Sequence, residues 1–191
     1  MIERKTVTQD PQEVFLVEQA TAGDAESFGQ LYDKYIDKVY RHLYYRIGNA
    51  AEAEDLTAQV FLKAWNAMGR YRQMGRPFGG WLLSIGHNLL IDYYRSRKEN
   101  AALDDVIIPA GDSADPVLLA EKSFATASLR QAIKKLKKDQ QAVVVMRYID
   151  GLEYGEIARV LDKSEGAVRV ILHRSLLALR GVMGKDAGAL A

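Results

Sequence analysis

The sequence predicts an all-α chain of two small helical domains joined by a flexible acidic linker, and three observations carry that reading. Apolar residues recur every three or four positions in segment after segment, the spacing of one buried helix face. No stretch alternates apolar and polar residues as a half-buried strand would, and no hairpin turn signal appears. Over 99–123 the periodicity stops, and Pro109, Gly111, Pro116 and several aspartates take its place, a composition suited to a linker. Domains are therefore expected at 12–98 and 124–182, with a small-residue tail over 183–191 that should fray.

In chain order, a first short helix is expected over 14–22, stopped by Gly23-Asp24. A longer one over 25–46 carries Phe28, Leu31, Tyr32, Tyr35, Val39, Leu43 and Ile47 on one face and stops at Gly48-Asn49. The next, over 51–68, has Leu56, Val60, Phe61, Ala64 and Trp65 as its stripe. Glu52, Glu54 and Asp55 fall in its first turn. Carboxylates there complement the helix dipole. A metal or nuclease site is the sharper reading, but no acidic or histidine partner follows at ligand spacing. Residues 69–80, G-R-Y-R-Q-M-G-R-P-F-G-G, read as a loop. Arginines mixed with aromatic rings suit single-stranded nucleic acid, and a plain surface loop is the alternative. A helix is expected over 81–97, with Leu82, Ile85, Leu89 and Tyr93 inward and Asn88, Asp92, Arg95 and Arg97 on other faces. His87 has no partner at metal spacing and reads as a surface or capping residue.

The second domain should hold helices over 124–136 and 139–148, broken by Ile149-Asp150-Gly151. After it comes L-E-Y-G-E-I-A-R-V-L-D-K-S-E-G-A-V-R-V-I-L-H-R. Ile157, Val160 and Leu161 mark a short helix, Asp162-Lys163-Ser164 a tight turn with Ser164 as N-cap, and Val168, Ile171, Leu172, Leu176 and Leu179 a longer helix with Arg169, His173 and Arg174 opposite. That is the pattern of a helix-turn-helix. The major groove is about 12 Å wide and admits one helix, so Arg169 could fork onto a guanine and Arg174 could hold a phosphate. An ordinary helical hairpin with a solvated charged face is the other reading of this stretch.

The totals narrow the function classes. No cysteine is present, which removes disulfides and thiolate metal sites and fits a cytoplasmic protein. The apolar runs fall far short of a membrane span, and 1–11 lacks the apolar core of a signal peptide, so neither membrane insertion nor export is expected. The net charge of +1 hides alternation: −5 over 1–60, +6 over 61–98, −5 over 99–128 and +5 over 129–180. Two basic blocks separated by acidic ones suit a polyanion that touches the chain twice. No Ser-His-Asp arrangement, metal spacing or phosphate loop supports an enzyme, and no cofactor is expected.

Four segments in order resemble the extracytoplasmic-function sigma factors, the small two-domain branch of the bacterial RNA polymerase sigma family, over roughly 15–180. A-G-D-A-E-S-F-G-Q-L-Y-D-K-Y resembles the opening of region 2, and A-E-D-L-T-A-Q-V-F-L-K-A-W its polymerase-binding helix. P-F-G-G-W-L-L-S-I-G-H-N-L-L-I-D-Y-Y-R-S-R-K is similar to the segment that reads and melts the −10 element. The helix-turn-helix stretch is similar to region 4, which reads the −35 element.

The resemblance implies a non-enzymatic polymerase subunit that binds core RNA polymerase and promoter DNA, and often an anti-sigma factor. It implies polymerase contacts at Asp55, Gln59, Phe61, Leu62 and Trp65. It implies −10 contacts at Arg76, Phe78, Trp81, Asn88, Asp92 and Arg95, with Asn88 at a flipped base, and −35 contacts at Ser164, Glu165, Gly166, Arg169, His173 and Arg174. The chain departs from the family where Ala58-Gln59 replaces a common glutamine-glutamate and Val170-Ile171 a common serine-arginine. A free-standing helix-turn-helix regulator is the alternative, but it leaves the first basic block without a role.

Overall fold

The computed structural model describes residues 10–72, 77–103 and 123–188, and within them the chain is helix and turn only. The first unit holds α1 (Pro11–Thr21), α2 (Ala25–Ile47), α3 (Ala50–Ala67), a 3-10 turn at Met68–Arg70 and α4 (Phe78–Leu103). The second holds α5 (Ser123–Lys134), α6 (Lys138–Val144), a π-helical turn at Val145–Ile149, α7 (Tyr154–Leu161) and α8 (Glu165–Gly188). The expected linker over 99–123 lies outside the described residues except at its edges.

The ends of these helices are written locally. Asp10, Asp24 and Asn49 each accept a backbone N–H of the following first turn, from Gln12, Ser27 and Glu52. Gly48 closes α2 in the left-handed conformation at φ 73°, where a side chain would also collide with the stem of Lys134.

Several boundaries differ from expectation: α1 starts at Pro11 and not at 14, α5 ends at Lys134 and not at 136, and the helix expected over 139–148 divides into α6 and the π-helical turn. α4 starts at Phe78, three residues earlier, because Pro77 takes the cap position and its carbonyl accepts Trp81 N–H at 3.1 Å. The two glycines then sit inside the first turn, and the first of them is needed there: a Cβ on Gly79 would lie 2.5 Å from the Tyr35 ring. α4 also runs into the expected linker as far as Leu103, since no breaker precedes Pro109. α8 likewise continues to Gly188 through residues expected to fray, where Met, Lys and Ala favour helix.

Each unit has its own core. Leu31, Val39 and Leu43 of α2, Ala53, Val60 and Ala64 of α3 and Phe78, Leu82 and Leu90 of α4 are buried together. Ile133, Val143, Val145, Met146, Ile157, Val168 and Leu172 form the second core. One residue crosses over: Leu83 of α4 is fully buried in the second core, and Tyr45 of α2 packs against that core too. The two units are in contact, α2 against α5 and the π-helical turn, and α4 against α7.

Candidate nucleic-acid interface

α4 presents a ridge on its exposed side. Trp81, Asn88, Asp92 and Arg95 are three, four or seven apart, so they line up along the helix. Asn88, Asp92 and Arg95 are exposed, and Arg95 pairs with Asp92 at 3.5 Å. At the start of the ridge an aromatic cluster forms a wall: Tyr71 lies 4.7 Å from Trp81 and 5.7 Å from Phe78, and Tyr35 lies 5.6 Å from Phe78. Trp81 is half-buried in this wall. Phe78 is 2% exposed, so it supports the wall from inside and offers no contact face of its own. Arg76 lies outside the described residues.

The back of α4 is pinned. Tyr93 donates to Glu52 at 2.6 Å and Tyr94 donates to the Arg46 carbonyl at 2.7 Å. Arg97 reaches the same Glu52 carboxylate at 3.2 Å. Burial, and then the Glu52 carboxylate, push the Tyr93 hydroxyl up to about 12, so it stays a donor. Glu52, read from sequence as a helix-dipole residue, therefore also ties α3 to the ridge helix. His87 is half-buried and accepts from the buried Arg46 guanidinium at 3.1 Å. That contact requires an unprotonated Nδ1. Burial and the neighbouring Arg46 push the imidazole down to about 3, while burial pushes Arg46 down to about 10, still charged at neutral pH. His87 is thus an internal strut, which its isolation in the sequence did not reveal.

The helix-turn-helix has the expected turn and cap, but Leu176, expected on the inward stripe of α8, is exposed, and Ser175 beside it is buried, its hydroxyl donating to the Ile171 carbonyl at 2.7 Å. Glu156 accepts the Glu153 N–H at 2.8 Å and starts α7. Asp162 turns the chain in the left-handed region at φ 51°, which its short polar side chain tolerates. Ser164 accepts the Ala167 N–H at 3.2 Å and caps α8. Ser164, Glu165, Gly166, Arg169, His173 and Arg174 are all exposed. Arg174 borders a shallow recess of about 330 Å³ with Lys137 and Lys138. Arg169 is held by neighbours the sequence pattern did not indicate. It pairs with Glu165 at 3.5 Å and lies 4.5 Å over the Tyr154 ring, whose centroid is also 5.0 Å from Arg147. Tyr154 and Arg169 lie on different helices, so no periodicity links them. Val170, where the family commonly has a polar residue, is exposed and apolar.

On α3, Asp55, Gln59 and Leu62 are exposed on one side, together with Ala58. Trp65 is half-buried, its ring 4.9 Å from Phe28, and Phe61 is 4% exposed, its ring 4.6 Å from that of the part-exposed Tyr32. Phe61 therefore shapes this face from beneath, while Leu62, 62% exposed, stands on it.

Comparison with known proteins gives the class first. Residues 31–100 match the family described as Sigma-70 region 2, and residues 126–179 match Sigma-70, region 4. The fold is shared with solved sigma factor structures. RpoE in complex with the anti-sigma factor NepR, from Bartonella quintana, aligns at a TM-score of 0.75 with 19% identity, covering 85% of this chain and 99% of that one. CnrH in complex with the cytosolic domain of CnrY aligns at 0.67 with 24% identity, covering 92% and 99%. Closer in sequence is the ECF RNA polymerase sigma factor BldN of Streptomyces coelicolor, 39% identical over 177 residues, which are 90% of this chain and 66% of that protein. The ECF RNA polymerase sigma factor SigW of Bacillus subtilis is 32% identical over 176 residues, 86% of this chain and 92% of that protein. The chain belongs to the ECF RNA polymerase sigma factor family. No helix among the described residues is long and apolar enough to cross a membrane.

Proposed function

We propose that this sigma factor binds core RNA polymerase through the exposed side of α3, reads the −35 element with α8 and the −10 element with the α4 ridge, and helps open the duplex there. It acts in the cytoplasm, without chemistry of its own, and an anti-sigma factor holds it in check. The observation that carries the reading is the pairing, in one chain, of two exposed polar faces on separately built helices. One is a capped helix-turn-helix with Arg169, His173 and Arg174 outward; the other is a ridge with Asn88 beside an aromatic wall. The first geometry suits a major groove. The second suits an unstacked base: extraction costs a few kcal/mol, and a shaped pocket with a polar amide offsets it.

A promoter-opening assay with core polymerase tests this. Strand separation should require both core and this chain. Asn88→Ala should lower opening while duplex binding at the −35 element persists, and Arg169→Ala should do the reverse. Tight, specific promoter binding by the free chain, unchanged by core, would overturn the reading.

A further inference from the structure

We infer that Val170 is a base-reading residue: its side chain meets the C5-methyl group of a thymine in the −35 element and makes α8 selective for that base. The inference rests on the −35 reading proposed above and adds to it the base that one side chain selects.

The place of Val170 on α8 carries this. α8 begins at Glu165, so Val170 is its sixth residue. It lies in the N-terminal part that reaches base edges when such a helix enters the major groove. Gly166, His173 and Arg174 stand four before, three after and four after it, so they share one side of the helix with Val170. Arg169 flanks that side. All five residues are exposed, Val170 at 49%. An apolar side chain therefore occupies the middle of an otherwise polar face, between Arg169 on one flank and Arg174 on the other.

The turn before it is open. In a helix the Cα–Cβ bond leans toward the N-terminus, so Val170 leans over Gly166, which has no side chain. Even a Cβ on Gly166 would meet nothing nearer than Ser164 Oγ, at 3.9 Å. The backbone of this turn can thus come close to a base edge, with the valine methyl groups beside it. Exposed Leu177 lies seven residues further, about 10 Å along the axis, and His173 and Arg174 stand between. Val170 is therefore a lone apolar group, not part of a patch of the size that takes a protein partner.

The chemistry of the groove then selects the base. Thymine alone carries a methyl group on its major-groove edge, and the other bases present donors and acceptors there. Valine offers neither donor nor acceptor. A methyl group against it removes apolar surface from water on both sides. An amino or carbonyl group pressed against it loses its water and gains no partner, which counts against adenine, guanine and cytosine.

Random duplexes of about 50 base pairs, retained by core polymerase plus the full chain and not by core alone, give the −35 element as this protein reads it. One position of that element should be thymine for wild type, and Val170→Ser should lose that preference while the others stand. In the best wild-type duplex, deoxyuridine in place of that thymine removes only the methyl group. It should weaken binding about three- to fivefold for wild type. For Val170→Ala, where the methyl has already lost its contact, the same change should cost less than about twofold. Both variants should keep native helix content, because residue 170 is exposed and alanine and serine suit a helix at least as well as valine.

An element whose base preferences are all unchanged by Val170→Ser overturns the inference, and so does one in which deoxyuridine costs nothing at any thymine. A deoxyuridine loss equally large in Val170→Ala also overturns it, because the methyl then touches another group. Those three results leave the −35 reading standing. If core and chain together retain no sequence beyond what core retains alone, the proposed function fails and the inference fails with it.

Discussion

The two faces proposed to read DNA are built in opposite ways. The α4 ridge sits on a helix fixed from behind by Tyr93, Tyr94 and Arg97 and closed at one end by four aromatic rings. The α8 face carries exposed cations, and the described hold on Arg169 is one ion pair and one ring. Rigidity follows the task proposed for each face. A pocket that takes a base out of the stack must exist before the base arrives, or its ordering cost adds to the unstacking cost. A helix entering a preformed groove can let its long side chains settle on contact. Damage behind the ridge should therefore cost fold and function together, whereas damage on α8 should cost recognition alone.

The largest effect that would test this contrast is Phe78→Ala. Removing a ring that is 2% exposed should cost about 3–5 kcal/mol. The thermal midpoint should fall by about 10 °C, and promoter opening should be lost with it. Arg169→Ala should leave the midpoint unchanged within error and weaken −35 binding by about 1–3 kcal/mol. A midpoint drop for Arg169→Ala as large as for Phe78→Ala would break the comparison.

Acid sharpens it. In the folded chain His87 stays neutral down to about 3, while unfolded it takes a proton near its ordinary 6.5. Between those values the unfolded chain holds more protons. The stability His87 contributes is therefore complete above about pH 6.5 and is lost as pH falls toward 3, at no more than about 1.4 kcal/mol per pH unit. Urea midpoints measured from pH 7 to 5 should fall for wild type and fall less for His87→Gln. Equal slopes in the two proteins would remove His87 from the support of α4.

What was legible in the sequence divides along the same line. Helix faces such as Leu31–Val39–Leu43 and the capped turn at Asp162–Ser164 are local, so spacing and cap chemistry reveal them. The order of the four family-like segments pointed to the same two units that the family matches cover. Supports that join distant residues were not legible. Glu52 with Tyr93, His87 with Arg46, and His42 with Asp150 are 41, 41 and 108 residues apart. No period connects them, and each side chain alone has an ordinary surface reading. Leu83 left one faint signal, an apolar residue off the Leu82–Ile85–Leu89 stripe, and it is the residue that enters the other core. Burial also separates residues within the expected sites: Phe61 and Phe78 lie beneath the exposed faces of α3 and α4.

The smallest effect concerns Tyr154, and it tests whether α8 is as loosely prepared as the contrast states. The ring lies between Arg147 and Arg169, 5.0 and 4.5 Å from the two guanidinium carbons. An exposed cation–ring contact contributes about 0.5–1 kcal/mol, much of it by narrowing the rotamers of Arg169 before DNA arrives. Tyr154→Ala should therefore weaken −35 binding about two- to fivefold, and Tyr154→Phe, which keeps the ring, should restore it. Combined with Arg169→Ala, the Tyr154→Ala loss should shrink, because the residue it orients is gone. A loss that persists undiminished in the double variant would mean that Tyr154 touches DNA itself. A loss of a hundredfold would mean that α8, like α4, depends on a prebuilt support.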